Sequence, residues 1–134
     1  SAYYPTWDAD HVEALLKRFN LDPNQRAGDL SKGQGTRLRL ILAMAFHPTL
    51  LLLDEPGVGL DLSGRRSLLE SVVDIAGQGQ QSVIISSHHL EDVERISDRL
   101  LVLDDGRVIK EGQTDDLIEE GRSLEEFLLE VGAA

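Results

Sequence analysis

The sequence predicts an α/β domain, and three observations carry that prediction. Residues 50–53 and 83–85 are short apolar runs, too short for helices and typical of buried parallel strands. Segments with the apolar spacing of helices precede, separate and follow them, and this alternation is the pattern of α/β folds. With 134 residues the chain has room for one domain with a moderate core.

Two helices are predicted in the first part of the chain. The first begins after Thr6 or Asp8 and runs to about Phe19, because apolar residues there recur at the spacing of a buried helix face. Ser31 is the expected N-cap of the second helix, which should end near Phe46 because a proline follows. The buried stripe of this helix is expected to consist of four residues: Leu38, Ile41, Leu42 and Ala45.

The rest of the chain is predicted to alternate strands and helices. Residues 50–53 are apolar at every position, so this strand is expected to be covered on both faces of its sheet. Asp104-Asp105-Gly106 between two apolar runs is a strong hairpin signal. The remaining predicted elements are a loop at 57–61, a helix at 63–76, a turn at 77–79, a strand at 82–86, a helix at 90–96, hairpin strands at 99–103 and 107–111, and helices at about 114–120 and 124–130.

Composition and charge exclude several classes of function. The chain has 13 Lys and Arg against 24 Asp and Glu, a formal net charge of −11, which works against binding nucleic acid or anionic membranes because both need a basic surface. Residues 111–134 hold eight carboxylates and one arginine, a balance of −7, which leaves −4 of the −11 to residues 1–110. The absence of cysteine excludes disulfides and thiolate metal sites, and no apolar run approaches a membrane span.

Two consecutive carboxylates, Asp54 and Glu55, follow the first predicted strand. Open α/β sheets bind their ligands at the carboxyl ends of strands, and the alternate directions of the two side chains allow two roles. One carboxylate would hold a hydrated Mg²⁺ and the other would orient or deprotonate an attacking water. A solvated strand end without a function is the alternative on this pattern alone.

Two further segments are candidates for phosphate binding. Ser31 and Gly33 stand at a helix start, where free backbone N–H groups and the helix dipole favour anions, although a plain N-cap explains the pattern as well. His88 follows the second strand and would donate a hydrogen bond to a phosphoryl oxygen, or be structural. A zinc site that includes His89 is disfavoured, because adjacent histidines are expected to point apart and no third ligand has suitable spacing.

The order and spacing of these segments resemble the ATP-binding cassette (ABC) family of ATPases over essentially the whole chain. Residues 30–34, Leu-Ser-Lys-Gly-Gln, look like the signature motif of the family, and residues 50–56 look like its Walker B strand with the catalytic glutamate. Residues 59–61, Gly-Leu-Asp, resemble the D-loop, and Ser87-His88 resembles the switch histidine. The hairpin that follows, at 101–112, is similar to the transporter branch.

The resemblance implies a role for each matching residue. Asp54 would hold Mg²⁺ through water, Glu55 would polarise the hydrolytic water, and His88 would contact the γ-phosphate. Asp61 would communicate across a dimer interface. ATP and Mg²⁺ are the implied ligands of the full-length protein, and the family sandwiches two ATP molecules between head-to-tail cassettes. Three residues would therefore address the nucleotide bound by the opposite protomer: Ser31, Gly33 and Gln34.

The sequence departs from the family pattern in several places. Lys32 replaces a glycine of the signature motif and adds a charge near the phosphate site. Three loop residues replace commoner Thr, Ser and Pro: Gly57, Val58 and Leu62. None of the 12 glycines is followed by lysine, so the P-loop pattern Gly-x-x-x-x-Gly-Lys-Ser/Thr does not occur. The chain is therefore expected to be the carboxyl-terminal portion of a cassette, with strand edges at 82–86 and 99–103 left unpaired.

The resemblance also implies the organisation of the chain. The fold is expected to be the carboxyl-terminal part of an ABC-type P-loop NTPase nucleotide-binding domain. Residues 1–48 would end the helical subdomain and carry the signature motif, residues 49–112 would form the α/β core and hairpin, and residues 113–134 would form acidic helices.

The full-length protein is expected to be the ATP-hydrolysing subunit of a bacterial ABC transporter, an exporter. It would be cytoplasmic, bound to the inner membrane through permease subunits and paired with a second cassette, without inserting into the membrane or binding nucleic acid. The isolated chain is expected to be inactive for lack of a P-loop. Two alternatives remain: a non-catalytic assembly or swapped module that completes another cassette, and a non-transporter ABC ATPase of DNA repair or translation.

Overall fold

The computed structural model of the chain describes residues 7–79, 81–118 and 122–132. The chain divides into two compact units, Ser1–Ser86 and Ser87–Ala134. The three-part division made from motifs stays a prediction, and the predicted lead-in at residues 1–6 lies outside the described residues. Among the helices of the described part, none is both long enough and apolar enough to cross a membrane.

The helices and strands follow the predicted order. The elements of the first unit are α1 (Ala9–Arg18), a 3₁₀ turn (Ala27–Asp29), α2 (Lys32–Met44), β1 (Leu50–Asp54), α3 (Leu62–Gly79) and β2 (Ser82–Ser86). The elements of the second unit are α4 (Leu90–Ile96), β3 (Arg99–Asp104), β4 (Arg107–Gln113), α5 (Thr114–Leu117) and α6 (Leu124–Val131). Helices and strands alternate through the chain, which confirms the α/β class.

Helix α1 begins at the predicted cap and buries the predicted face. The carboxylate of Asp8 accepts a hydrogen bond from the backbone N–H of His11 at 3.0 Å and lies 3.2 Å from the ring of His47. These two contacts hold the pKa of Asp8 below its ordinary value. Because the carboxyl is favoured in its ionised form, its contribution to stability is present above its unfolded pKa and is lost as the pH falls through its folded pKa. Leu15 and Phe19 are buried.

Helix α2 has the predicted start but a different buried face. Besides the predicted Ile41 and Ala45, the buried residues of this segment include Leu40 and Met44. The prediction that Leu42 is buried is wrong, because it is 45% exposed. It lies two residues beyond Leu40, about 200° around the helix, and so on the opposite side. The helix ends at Met44, with Ala45 as its C-cap, slightly before the predicted end near Phe46.

Strands β1 and β2 pair in parallel, with Leu50 opposite Ser82 and Asp54 opposite Ser86. The prediction that β1 is covered on both faces is wrong for the described residues, because Leu52 is 66% exposed and Ile84 is 59% exposed. The buried face holds Leu51, while α3 packs against β2. A parallel sheet is usually buried on both faces, and the described part of the chain covers only one face of the β1–β2 sheet.

Helix α3 is longer than predicted. It continues through Gly77 to Gly79, so the predicted turn at 77–79 is wrong. A glycine inside a helix costs about 1 kcal/mol relative to alanine. Burial of four apolar side chains along the helix opposes that cost: Leu68, Leu69, Val72 and Ala76.

The second unit is built around a hairpin and a small apolar cluster. Strands β3 and β4 are antiparallel and are joined by Asp105 and Gly106, whose φ values of 44° and 75° suit the predicted tight turn. Helix α5 is shorter than predicted, and residues 119–121 lie outside the described part. Three buried side chains form the cluster: Leu100, Leu124 and Phe127. Within the described residues β2 pairs only with β1, and β3 only with β4, so each of these two strands has one unpaired edge, as predicted.

Candidate functional site

The two consecutive carboxylates lie at the carboxyl end of β1, where strand β2 also ends. Asp54 is paired in register with Ser86, and the Ser86 hydroxyl donates a hydrogen bond to the Asp54 carboxylate. The backbone N–H of Glu55 donates to the Ser86 carbonyl at 3.1 Å and to the Ser86 hydroxyl oxygen at 3.2 Å. Asp54 is exposed and Glu55 is half-buried. Both carboxylates thus stand at the edge of the sheet where ligands bind in α/β folds.

The backbone of Glu55 has an unusual conformation. Its φ is 45°, in the left-handed region that residues other than glycine seldom adopt. The chain turns immediately afterwards, with the Val58 N–H donating to the Glu55 carbonyl at 3.1 Å. Residues in this conformation cost roughly 1–3 kcal/mol and cluster at functional sites, where surrounding contacts impose them. The turn therefore begins at Glu55, directly after the last residue of β1.

The predicted signature residues lie together at the start of α2. The Ser31 hydroxyl accepts from the Gln34 N–H at 3.2 Å, and the Gln34 side-chain oxygen accepts from the Ser31 N–H at 2.9 Å, so the two residues form a capping box. This is the structural alternative that the sequence left open. The capping box uses the Gln34 N–H and leaves the Ser31 hydroxyl proton and the N–H groups of Lys32 and Gly33 as donors toward an anion.

The predicted D-loop packs on the signature segment. A Cβ on Gly33 would lie 2.8 Å from a methyl of Leu60, and a Cβ on Gly59 would lie 2.6 Å from Cε of Lys32. Gly59 also has a φ of 82°, which L side chains rarely adopt. The carboxylate of Asp61 accepts from the Gly64 N–H at 2.7 Å and so caps the start of α3. Close packing therefore joins two segments that the sequence treated separately.

A cavity of about 320 Å³ lies between α2 and the end of β1. Its walls include Lys32 and Arg39 from the helix and Asp54 and Glu55 from the strand end. Arg39 also donates to the Thr36 hydroxyl at 3.1 Å. The structure thus brings cationic side chains and both carboxylates to one opening, where phosphate and a divalent cation would each meet opposite charge.

The predicted switch histidine belongs to the second unit. The rings of His88 and His89 lie 4.0 Å apart between centroids, so the expectation that they point apart is wrong. The His89 N–H donates to the Ser87 hydroxyl at 3.1 Å, which fixes the loop before α4. No group of three or more His, Cys, Asp or Glu residues within the described ranges is arranged to hold a metal ion.

Sequence reasoning missed the contacts of Ser86. From the sequence, Ser86 is predicted only to be the last residue of a strand, directly before the histidine segment. Its contact with Asp54 follows from the parallel register of β1 and β2, because residues directly opposite each other point to the same face. The sequence signal for this contact is the serine at the last position of β2, the strand that pairs with the one ending in the two acidic residues.

Comparison with known proteins identifies relatives of the chain. Residues 16–92 match the family model described as "AAA domain, putative AbiEii toxin, Type IV TA system". The chain is 35% identical to the ABC transporter ATP-binding protein YtrB of Bacillus subtilis over 117 residues, covering 87% of this chain and 40% of that protein. It is 41% identical over 111 residues to the Nod factor export ATP-binding protein I of Rhizobium johnstonii, covering 81% of this chain and 35% of that protein.

The fold is shared with a solved ABC structure. The chain matches the structure of an ATP-binding subunit of an ABC transporter with a TM-score of 0.77 and 29% identity, covering 92% of this chain and 53% of that one. It thus spans well under half the length of the two curated relatives and about half of the solved subunit. The chain belongs to the AAA-domain family that matches it and to the ABC-type ATPases that these relatives represent.

Proposed function

We propose that the chain is part of the ATP-hydrolysing subunit of a bacterial ABC exporter and that it acts on the γ-phosphate and the attacking water. The observation that carries the proposal is the pair of acidic residues at the end of β1, where Ser86 contacts the carboxylate of Asp54 and the backbone N–H of Glu55. The names of the two relatives, a transporter ATP-binding protein and an export ATP-binding protein, support the transport role.

The residues at the strand end fit Mg²⁺. This ion prefers oxygen ligands and usually binds through one or two carboxylates together with waters and substrate phosphates. Asp54 is exposed, and a carboxylate has about four acceptor positions, of which the Ser86 hydroxyl occupies one. Asp54 is therefore the residue proposed to hold the ion through water. When bound, Mg²⁺ neutralises charge on the β- and γ-phosphates.

Glu55 is proposed as the group that orients the attacking water and accepts its proton. The chain turns at Glu55, whereas Asp54 is the last residue of β1, and the two adjacent acids are proposed to have different tasks. His88 is proposed to donate a hydrogen bond to the γ-phosphate, for which its exposed position after Ser87 is suitable. Positioning and charge stabilisation supply most of the catalysis in phosphoryl transfer, so these residues need no covalent chemistry.

The remaining site residues are proposed to act across a dimer of cassettes. Ser31, Gly33 and Gln34 would address the nucleotide of the partner cassette, and Asp61 would lie at the interface. Permease subunits would connect the cassettes to the inner membrane from the cytoplasmic side. The first turn of α2 supplies the N–H donors for this contact, and Lys32 adds a positive charge beside them.

The experiment that tests the proposal is ATP turnover with and without a P-loop. A completed cassette is made by joining an amino-terminal ABC ATPase segment bearing Gly-x-x-x-x-Gly-Lys-Ser/Thr to this chain. The purified 134-residue chain is expected to show no Mg²⁺-dependent phosphate release, because most of the phosphate binding is supplied by the P-loop, whereas the completed cassette is expected to turn over ATP. Absence of ATP turnover by a folded completed cassette that binds ATP would overturn the proposal. Phosphate release by the chain alone at the rate of the completed cassette would overturn the assignment of phosphate binding to the P-loop.

A further inference from the structure

We infer that Ser86 is a positioning residue for the two carboxylates, and that its hydroxyl fixes both the side chain of Asp54 and the backbone turn at Glu55. The inference rests on the proposed function, because it concerns the same site. Its own basis is the set of contacts between the ends of β1 and β2.

The direction of each hydrogen bond at Ser86 is determined by chemistry. The Glu55 backbone N–H can only donate, so the Ser86 hydroxyl oxygen accepts from it, at 3.2 Å. The ionised Asp54 carboxylate can only accept, so the Ser86 hydroxyl proton is directed to Asp54. One hydroxyl therefore links the two consecutive residues, as donor to the first and acceptor from the second.

The hydrogen bonds from the Glu55 N–H to Ser86 stabilise the unfavourable backbone conformation of Glu55. A φ of 45° is unfavourable for glutamate, and neighbouring groups must impose it. The Glu55 N–H has two acceptors on a single residue, the carbonyl and the hydroxyl of Ser86. Removal of the hydroxyl leaves the Glu55 N–H with the Ser86 carbonyl as its acceptor on that residue, and it removes the hydroxyl donor to Asp54.

The hydroxyl of Ser86 contacts the Asp54 carboxylate and the Glu55 backbone, so it would act on the reaction through these two residues. Residues that orient a metal-binding carboxylate commonly change metal affinity or activity by about 10- to 100-fold when they are mutated. The expected consequence of losing the Ser86 hydroxyl is a slower chemical step without weaker nucleotide binding, because the P-loop provides most of the binding to ATP.

Three variants test the inference. Ser86→Ala removes the hydroxyl, Ser86→Thr keeps it on a residue that suits strands, and Ser82→Ala removes a hydroxyl from the other end of the same strand. In the 134-residue chain, amide hydrogen exchange at Glu55 is expected to be about 2- to 12-fold faster in Ser86→Ala, the range that one hydrogen bond provides. Ser86→Thr and Ser82→Ala are expected to exchange at that position as the parent does.

The completed cassette supplies the functional readout. Ser86→Ala is expected to lower kcat about 10-fold or more with KM for ATP within about twofold, and Ser86→Thr to restore kcat. Unchanged kcat in Ser86→Ala overturns the inference even if amide exchange rises, because the hydroxyl would then be only structural. Failure of the unmutated completed cassette to hydrolyse ATP would count against the proposed function instead. In that case, unchanged exchange at Glu55 in Ser86→Ala would still overturn the inference.

Discussion

Glu55→Gln in the completed cassette is expected to lower kcat for ATP hydrolysis by at least about 100-fold while ATP still binds, since a positioned general base contributes about 10²- to 10⁴-fold. Glutamine keeps the size of the side chain and lacks the carboxylate that accepts a proton from water. The backbone contacts of Glu55 with Ser86 do not involve the side chain, so the turn is expected to persist. Phosphate release measures kcat, and a fluorescent ATP analogue measures binding.

The matched control for this variant is Glu125→Gln, the same change on the exposed first turn of α6. This control is expected to hydrolyse ATP as the parent does. Hydrolysis by Glu55→Gln at the parental rate would show that another group activates the water. Loss of ATP binding in Glu55→Gln would show that Glu55 binds nucleotide and does not act as the base.

Met44→Ala is expected to lower the free energy of unfolding of the chain by about 2–5 kcal/mol, the usual cost of truncating a large buried apolar side chain. Met44 is fully buried, with 0% of its surface exposed, near the end of α2. Truncation leaves a cavity among well-packed neighbours such as Leu40 and Ile41, which the rigid helix fills only in part. Urea unfolding followed by circular dichroism measures the change.

Leu42→Ala on the same helix is the control for the buried face of α2. Leu42 is 45% exposed, so this substitution is expected to lower the free energy of unfolding by only about 1 kcal/mol or less. A larger loss from Leu42→Ala than from Met44→Ala would show that the helix buries the stripe that the sequence predicts instead of the one in the structure.

Features set by a few neighbouring residues could be predicted from the sequence. Ser31 and Asp8 cap their helices as predicted, because a side-chain oxygen followed by an apolar helical pattern is a local signal. Asp105-Gly106 gives the expected tight turn, because both residues tolerate positive φ. The strand that ends in Asp54 was likewise visible as an apolar run followed by acids.

Features that depend on distant residues could not be predicted. The helix passes through Gly77 because buried side chains elsewhere on α3 outweigh its low propensity. The contact between Ser86 and Asp54 depends on strand register, and the left-handed φ of Glu55 depends on what β2 places beside it. In each case the local conformation depends on a contact between residues that are distant in the chain, and such contacts cannot be read from one sequence.

The cavity between α2 and β1 raises a question about how the nucleotide sites are composed. Lys32 of the signature segment and both carboxylates line the same cavity within one chain. The proposed function instead assigns the signature residues to the nucleotide of a partner cassette. If one chain forms a complete site, Glu55 and the signature residues must be intact in the same chain. If two cassettes share a site, Glu55 of one chain acts with the signature residues of the other.

Mixing two inactive completed cassettes tests this assignment most directly. The first carries Glu55→Gln, and the second carries Ser31→Asp, which keeps a good N-cap and places a negative charge where phosphate would bind. In a two-fold dimer that shares its sites, half of the dimers are mixed and each has one intact site, so the mixture is expected to recover about a quarter of the parental phosphate release. No recovery, with mixed dimers demonstrated by differential tags, would contradict the account.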